Sequence, residues 1–145
     1  MALTLSEVVI PTFTKGLTTL SYLLTVAQEH AKSNYLDPDA EYPNARLADD
    51  ILPLTFQVQN VTKTVRKTLA RLEVDDLLAR VVKTKELLAG VDRGVIDARA
   101  DRPLGQQTIQ GIPNFFFHLQ TAYTILRAKG VPIRKRDYIG SFLAQ

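Results

Sequence analysis

A chain of 145 residues, 46% hydrophobic and 23% charged, has the size and balance of one globular domain, taken here as residues 1–145. It contains no cysteine, which excludes a disulfide framework, thiolate metal sites and cysteine nucleophiles. The net charge of +3 is mild. The opening "MALTLSEVVIPTF" lacks the basic and long apolar stretches of a signal peptide, so the reading is cytoplasmic, with no membrane partner.

Four segments carry helical periodicity. Phe13, Leu17, Leu20, Leu24 and Ala27 predict a helix from about Thr12 to Ala31, with Pro11 in its first turn. Thr4 and Glu7 have capping-box spacing and predict a short turn ahead of it. "SNYLDPDAEYPN" reads as a loop. The second segment is the most regular: Ile51, Leu54, Val58, Val61, Val65, Thr68 and Leu72 form a bundle-facing seam that opens near Pro53. The third holds Leu77, Leu78, Val81, Val82 and Leu88, with Asp75 or Asp76 as N-cap and Gly90 and Gly94 as the end.

"VIDARADRPLGQQTIQG" shows no apolar stripe and is expected to be an irregular connection or a short hairpin. The fourth helix is expected from about Pro113 to Gly130. The tail "RDYIGSFLAQ" can lay Tyr138, Ile139, Phe142 and Leu143 back on the bundle. The fold class is therefore all-α, a four-helix bundle with a short packed tail. Basic clusters at Lys63, Arg66, Lys67 and Arg71, and at Arg134 to Arg136, lack interleaved aromatics and read as solvated helix faces. No nucleic-acid partner is expected.

Between Leu54 and Ala89 there is no glycine or proline, and the single break candidate is "LEVDDL". Two readings stand. One is a tight antiparallel hairpin capped by Asp75 or Asp76. The other is a continuous helix whose two apolar stripes lie about half a turn apart. Such a helix could bury both stripes only in two cores, as in a homodimer swapped through residues 72–77.

"ARLADDILPLTFQVQ" and "IPNFFFHLQTAYTILRAKGVPIRKRDYIGSFL" resemble the signature blocks of an uncharacterised fungal and bacterial family in the DinB-like superfamily of four-helix bundles. "PTFTKGLTTLSYLL" is similar to that family's first helix. The resemblance implies a DinB-like bundle whose second and third helices run in the same direction. A second helix about 30 Å long would then need a return path on the order of nine residues, more than "LEVDDL" supplies. Related superfamily members bind a divalent metal through three histidines. This chain has only His30 and His118, with Ala122 and then Tyr123 where a second histidine would follow His118.

His118 is the residue to weigh. A buried neutral histidine is most often a hydrogen-bonded structural group. A carboxylate beside it would raise its pKa and orient one tautomer, as acid–base chemistry requires. In a plain up-down-up-down bundle Asp50, Gln57 and His118 would gather at one end beside His30. The first expectation is a small-molecule ligand held in an internal pocket lined by Phe115, Phe116 and Gln57. There His118, Asp50 and Tyr123 would act without a cofactor as isomerase- or lyase-type groups. The alternatives are a divalent metal held by His118, His30 and carboxylates, and a non-catalytic helical dimer. Asn114 reads as a capping or turn residue, and Asp137 as a partner of Arg134 or Arg136.

Overall fold

In a computed structural model, which describes residues 3–69, 77–98 and 103–144, the regular structure of the described residues is entirely helical. Helix α1 spans Leu5–Ser33. The Thr4 hydroxyl accepts from the Glu7 N–H at 3.3 Å, while the Thr4 N–H donates to Glu7 Oε2 at 2.8 Å. This box opens the main helix itself rather than a separate turn. Pro11 therefore lies inside α1, not in its first turn. It is exposed, so the carbonyl left without its N–H partner faces water.

The expected loop contains a short helix, α2 (Pro38–Glu41), begun when Asp37 accepts from the Asp39 N–H at 3.0 Å. Helix α3 covers Leu54–Leu69, just after Pro53. Of its predicted seam Leu54, Val58, Val61 and Val65 are buried, Ile51 lies half-buried ahead of the helix, and Leu72 and the Thr68 side chain lie outside the described residues. Helix α4 (Leu77–Ala89) buries Val81 and Leu88 and leaves Val82 outside. The proposed caps Asp75 and Asp76 lie outside the described residues.

The expected irregular connection is largely helical. Asp92 accepts from the Gly94 N–H at 2.9 Å and starts α5 (Arg93–Asp97), so Gly94 opens a helix instead of ending one. Helix α6 runs Pro103–Ala128, ten residues longer at its start than Pro113 suggested. Pro103 takes the first turn and Pro113 lies exposed in mid-helix. A polar leading half can stay helical because the apolar second half anchors it by packing. Gly130, at φ +82°, closes α6 in the left-handed conformation that glycine tolerates.

The directions follow from contacts along the helices. Phe13 meets Phe115 near the start of α1, and Leu24 and Leu126 line one cleft near its end, so α1 and α6 are parallel. Gln57 bonds His118 and Thr64 bonds Asn114, so α3 runs against α6. Leu54 and Leu78 share the cleft at the end of α1, while the Ser6 N–H and hydroxyl donate at 2.7 and 2.8 Å to Asp97, the last residue of the α5 that follows α4. Helices α3 and α4 thus run in the same direction, both against α1. The antiparallel hairpin is overturned, and the DinB-like order holds.

The described part of the second helix is shorter than the roughly 30 Å expected. Sixteen residues of α3 span about 24 Å at 1.5 Å each. The eight Cα steps from residue 69 to residue 77 reach about 26–29 Å. Residues 70–76, and with them the swap expected through residues 72–77, lie outside the described residues; α4 packs on α1 and α3.

Helix α7 (Lys135–Leu143) lies antiparallel along α1 and α6. Tyr123 meets Tyr138 with ring centroids 5.4 Å apart, and Phe116 meets Phe142 at 5.7 Å. Lys15 Nζ donates to the Phe142 and Ala144 carbonyls, and the Thr19 hydroxyl donates to the Tyr138 carbonyl. Tyr138, Ile139 and Phe142 are half-buried as expected, whereas Leu143 is exposed. Asp137 accepts from the Arg134 backbone N–H at 2.6 Å and from the Tyr22 hydroxyl at 3.2 Å, so its partner is a helix end rather than a guanidinium.

Candidate functional site

The expected site residues and the end of the bundle frame two places of interest. The first is the α3–α6 seam, where His118 is buried with its Nδ1 2.7 Å from Gln57 Oε1. Gln57 Nε2 donates to the Leu52 carbonyl at 2.8 Å. That bond turns the amide oxygen toward His118, so Nδ1 carries the proton and Nε2 keeps the lone pair. Nε2 has no hydrogen-bond partner among the described residues. The rings of Phe56 and Phe117 stand edge-on to the imidazole at 6.0 and 5.2 Å.

Burial lowers the pKa of His118, which leaves the ring neutral at pH 7. The folded pKa lies below the unfolded value, so the unfolded chain binds the proton first as pH falls. The stability this group contributes is full above about pH 6.5 and is lost as pH falls from there toward the folded pKa. Denaturant melts should show less stability at pH 5 than at pH 7.5, with a smaller difference in His118→Asn. An NMR titration of His118 should give a midpoint below 6.5 and an Nδ1–H tautomer.

The other expected site residues do not gather there. Asp50 stays in the exposed turn ahead of α3 and makes no hydrogen bond to His118. Tyr123 faces α7 and Tyr138, about 140° around α6 from His118. Phe115 is fully buried and stacks at 4.9 Å on Phe13, so it fills the core rather than lining a cavity. Phe116 packs under Phe142. Asn114 is neither cap nor turn residue: its side chain donates to Thr64 Oγ1 at 2.9 Å across the helix pair. Gln57 alone of the expected partners reaches His118.

His30 ends α1, with Nδ1 3.2 Å from the Tyr42 hydroxyl. The parallel α1–α6 pairing puts it about 21 Å along the bundle axis from His118, too far to share an ion. Ala122, one turn after His118, is a fully buried methyl group. Among the described residues no group of three or more His, Asp or Glu side chains could hold a metal. One imidazole, one carboxamide and one methyl group do not make a three-histidine centre.

The second place is a cleft of ≈ 440 Å³ at the end of the bundle where α1 and α6 finish and α3 and α4 begin. Leu24, Ala27, Leu54, Leu78 and Leu126 form its floor, and Tyr42, Pro38 and Pro43 close one side. Gln28, Asp39 and Thr55 supply polar groups. Burial raises the pKa of the Tyr42 phenol, with Glu41 adding to the effect, so it stays protonated. Sequence reasoning missed this cleft. Its one trace was Tyr42, an aromatic within an otherwise polar loop.

The family described as "Domain of unknown function (DUF1993)" matches residues 5–139. The chain belongs to this family. Its fold is similar to the crystal structure of a DinB family member from Shewanella denitrificans, with a TM-score of 0.82 and 28% sequence identity. That match covers 97% of this chain and 94% of the other. A search of curated proteins gave no match. This DUF1993 domain is therefore a DinB-like helical bundle, as its signature blocks suggested. None of its helices, among the described residues, is long and apolar enough to cross a membrane.

Proposed function

We infer that this DUF1993 domain binds a small, mainly apolar molecule, and that its ligand sits in the end cleft. The cleft itself carries the reading. A volume of ≈ 440 Å³ with an apolar floor and a few polar groups at the mouth has the proportions of a small-ligand site. The pocket expected among the helix-α6 phenylalanines is replaced by one that five helices build from their ends.

Indole is a suitable neutral probe. It should shift the NMR resonances of Ala27, Leu54 and Leu126. Gln28→Trp places a large ring over the mouth from a half-buried position and should weaken indole binding at least about tenfold without unfolding the bundle. Shifts confined to other residues, or binding indifferent to Gln28→Trp, would refute the cleft as the site.

A second reading is supported by the Gln57–His118 pair. A neutral imidazole with its tautomer held by a buried amide presents Nε2 as a proton acceptor, which suits cofactor-independent acid–base chemistry. An Nε2–H tautomer in the His118 titration would remove it.

A further inference from the structure

We propose that the end cleft selects amphiphiles whose head group is a protonated amine, with Asp39 as the residue that recognises it. This rests on the cleft being a ligand site and adds the chemical class of the ligand.

Several polar groups at the cleft are already engaged within the fold. The Thr55 hydroxyl donates to the Pro43 carbonyl at 2.8 Å. The Tyr42 hydroxyl is paired with His30. Lys129, on the same end of the bundle, is held by Glu41 at 2.5 Å and so does not neutralise a neighbouring acid. Two lining side chains have no hydrogen-bond or ion-pair partner among the described residues: the Asp39 carboxylate and the Gln28 carboxamide. Asp39 is also the sole charged residue among the described residues that line the cleft.

These two groups set a demand. An ionised carboxylate can only accept hydrogen bonds, while the Gln28 carboxamide lining the same cleft both accepts and donates, so Asp39 sets the preferred sign. A head group rich in donors and positively charged satisfies both, whereas a carboxylate head would meet like charge. A primary ammonium has three donors and fits at the mouth, where Asp39 is exposed and the ion keeps part of its hydration. Its hydrocarbon tail would lie on Leu24, Leu54 and Leu126. The floor supplies affinity that does not depend on charge, and Asp39 supplies the discrimination.

Three probes of equal chain length separate the claims: octylamine, octan-1-ol and octanoate, each titrated into the full chain by NMR. Octylamine should shift the cleft resonances with a dissociation constant about fivefold below that of octan-1-ol, the ratio expected of one exposed ion pair near the upper end of its range. Octanoate should bind most weakly. Asp39→Asn should bring octylamine to the level of octan-1-ol and leave octan-1-ol unchanged. Equal binding of amine and alcohol at the cleft would overturn the amine assignment while the cleft survives as a site. An amine preference that persists in Asp39→Asn would overturn the role of Asp39. Failure of all three probes to shift cleft resonances would overturn both the assignment and the cleft reading.

Discussion

Gly16→Ala should destabilise the protein by about 1–3 kcal/mol, the range for overfilling a packed core. In an ordinary helix interior the same change is favourable by about 0.5–1 kcal/mol. The sign reverses here because the Phe115 ring of α6 packs directly against Gly16. A Cβ at this position would run into Phe115 Cε1 and stand 2.6 Å from Cζ, and Phe115 is itself held against Phe13. For a chain of this size each kcal/mol moves the thermal midpoint by about 2–4 °C, so the loss is measurable by calorimetry. Adding Phe115→Leu should make the alanine at 16 far less costly than it is alone. Strict additivity of the two changes would show that the ring is not what the glycine accommodates.

The second large effect is expected at Gln57. Gln57→Leu preserves approximate volume but removes the acceptor of the buried His118 Nδ1–H, an effect of about 1–3 kcal/mol. The Leu52 carbonyl loses its donor too, although Leu52 is exposed and its carbonyl can turn to water. Gln57→Glu should act differently. A carboxylate 2.7 Å from the ring favours the imidazolium and raises the pKa of His118 instead of lowering it. The folded pKa would then exceed the unfolded one. The stabilisation would be full below about pH 6.5 and lost as pH rises through the folded value, the reverse of the wild-type trend. Parallel melts at pH 5 and pH 7.5 distinguish the two outcomes. An unchanged trend in Gln57→Glu would show that residue 57 does not control the ring.

Where side-chain periodicity is repeated, the sequence predicts the structure closely. The α3 seam at Leu54, Val58, Val61 and Val65 is buried as its spacing requires, because a three-and-four repeat leaves a helix one way to face a core. The Thr4–Glu7 box marks the true start of α1 for a similarly local reason. The prolines misled. Pro11 and Pro113 both suit a first turn by local rules, yet both sit on exposed helix faces, where a missing hydrogen bond is answered by solvent. Deciding between those cases needs the packing partner, which periodicity does not supply.

The site was half legible for the same reason. Gln57 and His118 each lie on a periodic helix, and an antiparallel α3–α6 pair brings them together. Asp50 lies outside any helix, so its expected approach to His118 depended on a loop path that no spacing rule describes. The end cleft was hidden more deeply. It is built from the last turns of α1 and α6, the first turns of α3 and α4, and one short loop helix, and these meet only once the order of the helices is settled.

Helix α1 touches every other helix of the bundle, and that has a kinetic meaning. Its aromatic partner Phe115 lies 102 positions downstream of Phe13, and α7, which covers its outer side, is the last helix of the chain. On the ribosome the apolar stripe of α1 is made long before the helices that cover it. With its parallel α3–α4 pair, the domain has few neighbours in sequence that are also neighbours in space, unlike a bundle of simple hairpins. Loop closure must precede most of its core, so this helical protein should fold more slowly than its helix content alone implies.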